Sequence, residues 1–324
     1  MSPRGGRGDA RVLAVWIVFA AWAVAIVVTY SRVPIAELFS VSAGGARGGF
    51  GRGLVFLNFP VALVAIALAL ISADRLRGTG WAVAVAAILG LCAVVVVPGV
   101  VDQNDLDPKV VNALPALGVL GALGLTLVAR CARSGNSGAP RPTTHLRSYP
   151  GKARVCVTDR ADFVLTLHQD PHALRALVRP VAMAVIVLAS LPWIAVELGF
   201  HLDGPFLGSQ LRSEPGGGLV AAVHLGHHHG MDGSLLALTA LVLLPAAAGM
   251  GRRRLRTAGS AYLSLMLTYG LANAVQDAWG EQVVKRGWTG DTLPNMLHPS
   301  VSFAWLGILA AAALAYRLLY RHAR

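Results

Sequence analysis

The chain has 324 residues, of which 55% are hydrophobic and only 14% are charged. A soluble domain carries roughly 25% charged residues, so long stretches of this chain have no surface to present to water. The net charge of +12 would fit a nucleic-acid-binding protein, but the placement of the basic residues argues against that class. The 25 arginines and 3 lysines fit the composition of a GC-rich bacterial genome.

Eight apolar runs are long enough, or nearly so, to cross a bilayer core, which takes roughly 20 helical residues. They cover residues 12–30, 54–72, 81–98, 112–129, 179–197, 233–250, 258–275 and 301–319. The first run resembles a signal peptide, but no convincing cleavage site follows it, so we interpret it as helix 1. The seventh run carries Ser264, Thr268, Tyr269 and Asn273, and we expect this polar face to point into the bundle.

The basic residues predict the orientation of these helices. With the N-terminus in the cytoplasm, the inner segments and helix ends hold 21 of the 28 basic residues, and the outer segments hold seven, Arg52 among them. The acidic residues show the reverse, with 11 outside and 5 inside. Basic loops face the cytoplasm, so the sequence predicts an all-α, polytopic protein of the cell membrane with both termini cytoplasmic. The positive charge is then a topology signal, which argues against a nucleic-acid partner.

The longest stretch without an apolar run divides the chain into two membrane halves. Residues 1–131 hold helices 1–4, and residues 177–324 hold helices 5–8, with a cytoplasmic linker over 132–176. Its opening SGNSGAPRPTT is flexible by composition. No pair of the three cysteines lies on the outer side, so we expect no disulfide framework.

The strongest local signal is HLGHHHGMDG over residues 224–233. If helix 6 begins early, His224, His228 and Asp232 recur at every fourth position and share one helical face. Two imidazoles and a carboxylate are suitable ligands for a divalent metal ion such as zinc. The alternative is a solvated histidine run in which Asp232 only caps the helix.

Four further side chains on the predicted outer side extend this candidate metal site. His201, His298, Asp102 and Asp105 lie in outer loops, although a polar turn explains the aspartates equally well. Glu197 lies four residues before His201 at the end of helix 5. We interpret Glu197 and Asp232 as candidate catalytic bases.

Three functions follow from this pattern. The first is a metal-dependent membrane enzyme whose outer His/Asp site hydrolyses or transfers a group on a lipid or lipid-linked substrate. The second is a transporter or metal-handling carrier, which the small number of charges within the predicted spans disfavours. The third is a non-catalytic assembly factor.

Overall fold

The computed structural model describes residues 3–35, 42–102, 107–135, 171–200, 210–212, 219–225 and 229–319. Within these residues the fold is eight helices and one short hairpin, which confirms the all-α prediction. The helices are α1 Pro3–Arg32, α2 (α2a Gly45–Phe56 and α2b Ala62–Ala73), α3 Thr79–Ala93, α4 Ala113–Gly135, α5 Pro171–Glu197, α6 His229–Ala248, α7 Arg253–Trp279 and α8 Phe303–Leu319.

Six of these helices, α1 to α6, are long and apolar enough to cross a membrane. Helix α8 is apolar but has only 17 residues, and α7 is too polar to qualify by composition. Apolar side chains on α3 and α5 are widely exposed, with Val83 69% and Leu188 70% accessible. Faces of this kind suit lipid and not water, so the chain is a multi-pass membrane protein.

Helix α2 is the centre of the bundle. Of its apolar window, 89% is buried, the largest share of the six spans. Helix α1 packs on α2a, while α3, α4 and α7 pack on α2b. Between the two halves, Phe59 leaves the helical conformation with φ −157° and ψ 115°, and Pro60 follows it. Because proline removes an N–H and disrupts the helix around it, α2 is broken inside the membrane span.

Helices α6 and α7 approach each other closely at a pair of glycines. A Cβ added at Gly233 would lie 2.4 Å from the carbonyl oxygen of Gly270, and the reverse substitution would meet Gly233 in the same way. Small residues at a crossing let two backbones approach closely in a membrane. These two glycines therefore set the distance at which α6 and α7 pack.

The predicted polar face of α7 does point into the bundle. Ser264, Tyr269 and Asn273 are at most 5% exposed. The hydroxyls of Ser264 and Thr268 donate to carbonyls one turn earlier in α7, which satisfies them without partners on other helices. The tyrosine hydroxyl donates to the carbonyl of Leu297, 2.7 Å away.

Most helices begin before the predicted apolar runs, and the early starts of α2 and α6 bear on the site. Helix α2 starts at Gly45, nine residues before the predicted span, because glycines and Arg52 sit in its first turns and hide the apolar pattern. Helix α6 starts at His229 and not at residue 233. The hairpin, β1 Gln210–Arg212 paired antiparallel with β2 Leu219–Ala221, was not predicted.

Candidate functional site: a buried charged cluster at one end of the bundle

Four side chains from four helices form a buried cluster: Tyr30, Arg52, Glu197 and Asp232. None is more than 6% exposed. All four helices contribute residues near the same end of the bundle, because α1 and α5 end there while α2 and α6 begin there. The four residues are far apart in the sequence, so the sequence alone did not indicate that they meet.

The centre of the cluster is an ion pair. The Nη2 atom of Arg52 lies 3.5 Å from Oε1 of Glu197, and the Tyr30 hydroxyl donates to the same oxygen at 3.0 Å. The guanidinium carbon of Arg52 also lies 5.7 Å from the centre of the Tyr30 ring, a cation–π distance. Two donors therefore share one oxygen of Glu197, and the other oxygen, Oε2, has no partner within the described part of the chain.

Asp232 adds a second carboxylate to this site. It lies in the first turn of α6, where the positive end of the helix dipole favours an acidic side chain. The charges of Arg52, Glu197 and Asp277 all act on it. Its Oδ1 atom is buried without a hydrogen-bond partner in the described ranges.

Two buried amides lie on the helices that line this region. Asn58, 1% exposed, precedes the break in α2, and its amide nitrogen donates to the carbonyl of Leu54 at 2.6 Å. Asn273, also 1% exposed, donates to the carbonyl of Tyr269 at 3.1 Å. The oxygen of each amide has no donor among the residues described. Each amide therefore keeps an acceptor oxygen available inside the bundle.

The break in α2 inserts an aromatic ring beside the cluster. Phe59 makes edge-to-face contacts with His229 and with Tyr269, each with 6.3 Å between ring centres. His229 is the first residue of α6 and is 8% exposed. The non-helical residue of α2 thus connects the beginning of α6 with the polar face of α7.

A stripe of polar residues continues from the cluster along α7 and the helical turn after it. Its members recur at every fourth position and are Asn273, Asp277 and Glu281; we refer to them as the stripe. The Asp277 carboxylate packs against the first turn of α6, because a Cβ added at Gly230 would meet its Oδ2 atom at 2.6 Å. Glu281 pairs with Lys285 at 2.7 Å.

The stripe ends beside His224. This histidine lies in a non-helical segment, where its Nδ1 atom is 3.1 Å from the carbonyl oxygen of Ala221. Burial lowers the pKa of His224 below its ordinary value, and the negative charge of Glu281 partly opposes that effect. His224 therefore lies outside α6, Asp232 lies within it, and His228 lies outside the described residues.

The predicted site residues have different outcomes. The two candidate bases, Glu197 and Asp232, meet in the buried cluster. Asp102 is exposed in the loop after α3, and His298 is half-buried before α8. The other predicted ligands, His201, His228 and Asp105, lie outside the described residues.

Within the described residues, no three His, Cys, Asp or Glu side chains are arranged to hold a metal ion. The metal site of the sequence stays a prediction, since three of its proposed ligands are not described. Arg52, Tyr30, Asn58 and Asn273 were not predicted as site residues. The interruption of an apolar run by Arg52, and the four-residue spacing of Asn273, Asp277 and Glu281, are the signals that point to them.

Comparison with protein-family models, curated proteins and solved structures gives no significant match for this chain. The function is therefore inferred from the residues of the site itself.

Proposed function

We propose that this protein is a membrane carrier of a cation or a cationic solute, and that the buried cluster is its binding site. The observation that carries the proposal is the presence of Arg52, Glu197 and Asp232 together inside the membrane bundle. Charged residues within spans are rare and mark ion or substrate pathways. The predicted spans contain few charged residues, and this disfavoured a carrier in the sequence analysis. That objection is weaker once Arg52 is found buried within α2a.

The charge balance of the cluster favours a cationic ligand. One arginine faces two carboxylates, so its charge compensates one of them. An isolated carboxylate is costly to bury, and the cost falls when a cation or a proton joins it. The unpartnered oxygens of Glu197, Asp232, Asn58 and Asn273 are acceptors, and oxygen atoms are the ligands that hard cations prefer.

The break in α2 supports the same proposal. Carriers often bind their substrate where a spanning helix is discontinuous, because the interrupted backbone lines a cavity. Asn58 and Phe59 stand at the break, next to the first turn of α6. The stripe formed by Asn273, Asp277 and Glu281 supplies acidic side chains between the cluster and the end of the bundle.

The distribution of basic residues along the chain supports an extracytoplasmic location for this site. With the N-terminus in the cytoplasm, α1 and α5 end outside, so the cluster lies toward the outer face of the cell membrane. Cations would then enter from the extracytoplasmic side.

A second candidate function is a membrane enzyme with an extracytoplasmic site. The observation that favours it is that Glu197 and Asp232, the two predicted bases, are brought together. A metal-dependent reaction on a lipid-linked substrate needs ligands from residues such as His201 and His228. Metal analysis of the purified protein distinguishes the candidates, since this enzyme retains a stoichiometric metal that is lost on substitution His228→Ala.

Uptake into proteoliposomes tests the carrier. The probes are radiolabelled sodium and radiolabelled methylammonium, each offered to vesicles containing the wild-type chain, Asp232→Asn or Asp291→Asn. We expect the wild type to accumulate at least one probe faster than empty vesicles, and Asp232→Asn to lower that rate about tenfold, equivalent to about 1.4 kcal/mol. Asp291 is exposed, so Asp291→Asn is the matched control and should keep the wild-type rate. Equal rates in the wild type and in empty vesicles for both probes would refute the proposal.

A further inference from the structure

A groove lies at the opposite end of the bundle from the buried cluster. It has a volume of about 510 Å³ and lies between the end of α2b, the start of α3 and the start of α7. Its apolar wall is formed by Leu76, Trp81, Ala82 and Val85. Its volume falls in the range of pockets that enclose drug-sized ligands.

The other wall of the groove is basic. Arg252, Arg253 and Arg254 are consecutive residues at the beginning of α7, and all three line it. Asp74 accepts hydrogen bonds from the N–H groups of Gly251 and Arg252, both at 2.8 Å, and lies 3.6 Å from the Arg252 guanidinium. The Asp74 carboxylate is thus committed to Arg252 and the backbone, and the carboxylate of Asp9 pairs with Arg75.

Arg253 and Arg254 keep their charge available. Both are exposed, and neither has an ion-pair partner in the part of the chain that the structure describes. Trp81, 37% exposed, stands on the apolar wall opposite them. Tryptophan is enriched at the level of lipid headgroups because its ring is apolar and its N–H is polar. The groove therefore combines an apolar wall, an interfacial aromatic ring and two uncompensated cations.

We propose that this groove binds one anionic phospholipid, with its phosphate against Arg253 and Arg254 and an acyl chain along Trp81 and Val85. The complementary charges select a phosphate that carries net negative charge over a zwitterionic headgroup. The neighbouring surface of α3 faces lipid, with Val83 69% exposed, so a lipid can enter sideways from the bilayer. The groove is independent of the buried cluster and of the transport proposal.

Native mass spectrometry of the detergent-solubilised full chain tests the groove. Phosphatidylglycerol and phosphatidylcholine with identical acyl chains are titrated separately, and bound lipids are counted. We expect one phosphatidylglycerol to bind with about tenfold higher affinity than phosphatidylcholine, since each basic residue near a lipid surface contributes appreciably. The double variant R253Q/R254Q should lose that preference.

Two matched controls make the result specific. The double variant R77Q/R317Q removes the same charge from exposed residues that do not line the groove, and it should keep the preference. Ala82→Trp fills the groove without changing charge and should abolish the tight site, whereas Ala86→Trp on the exposed face of α3 should not.

Three outcomes would overturn the proposal: equal binding of the two lipids by the wild type, equal losses in R253Q/R254Q and R77Q/R317Q, or an intact site in Ala82→Trp. Apparent melting temperatures without added lipid show whether each variant remains folded.

Discussion

Replacing Arg52 by glutamine should destabilise the protein more than replacing Glu197 by glutamine. The arginine is 2% exposed, lies 3.5 Å from Glu197 and also interacts electrostatically with Asp232. Arg52→Gln leaves both buried acids without a cation, and removing one partner of a buried pair costs about 3–5 kcal/mol. Glu197→Gln leaves Arg52 with Asp232 as an alternative partner, so we expect a loss of about 1–3 kcal/mol.

The double variant Arg52→Gln/Glu197→Gln completes the cycle. Its loss should be smaller than the sum of the single losses, because neither group is left without its partner. Tyr30→Phe removes only the hydrogen bond to Glu197 and should cost about 1 kcal/mol. Thermal unfolding in one detergent at one pH, followed by an intrinsic or dye fluorescence signal, ranks the four variants against the wild type.

Two results would contradict this reasoning. A larger loss for Glu197→Gln than for Arg52→Gln would mean that Asp232 does not compensate the arginine. Additive losses in the double variant would mean that Arg52 and Glu197 do not interact, whatever the 3.5 Å between them.

Two further substitutions test the packing of the bundle. Gly233→Ala should separate α6 from α7 and lower the melting temperature, because the new Cβ would lie 2.4 Å from the backbone oxygen of Gly270. Gly307→Ala is the control, since a Cβ there meets no atom within 4 Å. Equal melting temperatures for the two variants would refute the close crossing. Asp74→Asn weakens the acceptor of the N–H groups of Gly251 and Arg252, which directly precede α7, and should lower stability by about 1 kcal/mol. The same thermal assay measures this loss, and an unchanged melting temperature would show that these hydrogen bonds do not stabilise the protein.

The helices were predictable because apolar composition over 20 residues has one main structural solution in a membrane. The predicted runs match all eight helices in the described residues. The starts of α2 and α6 were missed for a common reason: glycine, arginine and histidine in their first turns interrupt the apolar pattern. Those residues are tolerated there because neighbouring helices enclose them, and that enclosure is a tertiary property.

The site was predictable only in part. Glu197 and Asp232 stood out because each is an acid next to an apolar run. Arg52 was assigned to an outer loop by the same reasoning, although it is buried inside α2a. A counting rule for basic loops treats every arginine near a span as solvent-exposed, so it cannot recognise one that pairs with an acid 145 positions later in the chain.

The depth of the polar groups separates the carrier from the enzyme. Arg52 lies seven residues into α2, about 10 Å along the helix, and Asn58 lies about 20 Å along it at 1.5 Å per residue. From Pro60 to Ile71 the helix is apolar. At this depth the hydroxyls of Ser264 and Thr268 bond to their own helix, and the Tyr262 hydroxyl donates to the carbonyl of Leu63 in α2b. The described bundle thus holds its buried charged cluster at one end, and apolar packing closes its other half.

An enzyme needs nothing more than this one-sided site. A carrier requires a second arrangement in which the sealed half opens and the cluster closes. The element that could rearrange is the pair α6 and α7, because α6 contributes Asp232 to the cluster and α7 packs on α2b in the sealed half. The two backbones meet directly at Gly233 and Gly270, so a movement of α6 against α7 would have to pass through this crossing. Transport that stops in Gly233→Ala while cation binding to the solubilised protein persists would therefore identify this crossing as the moving part of a carrier.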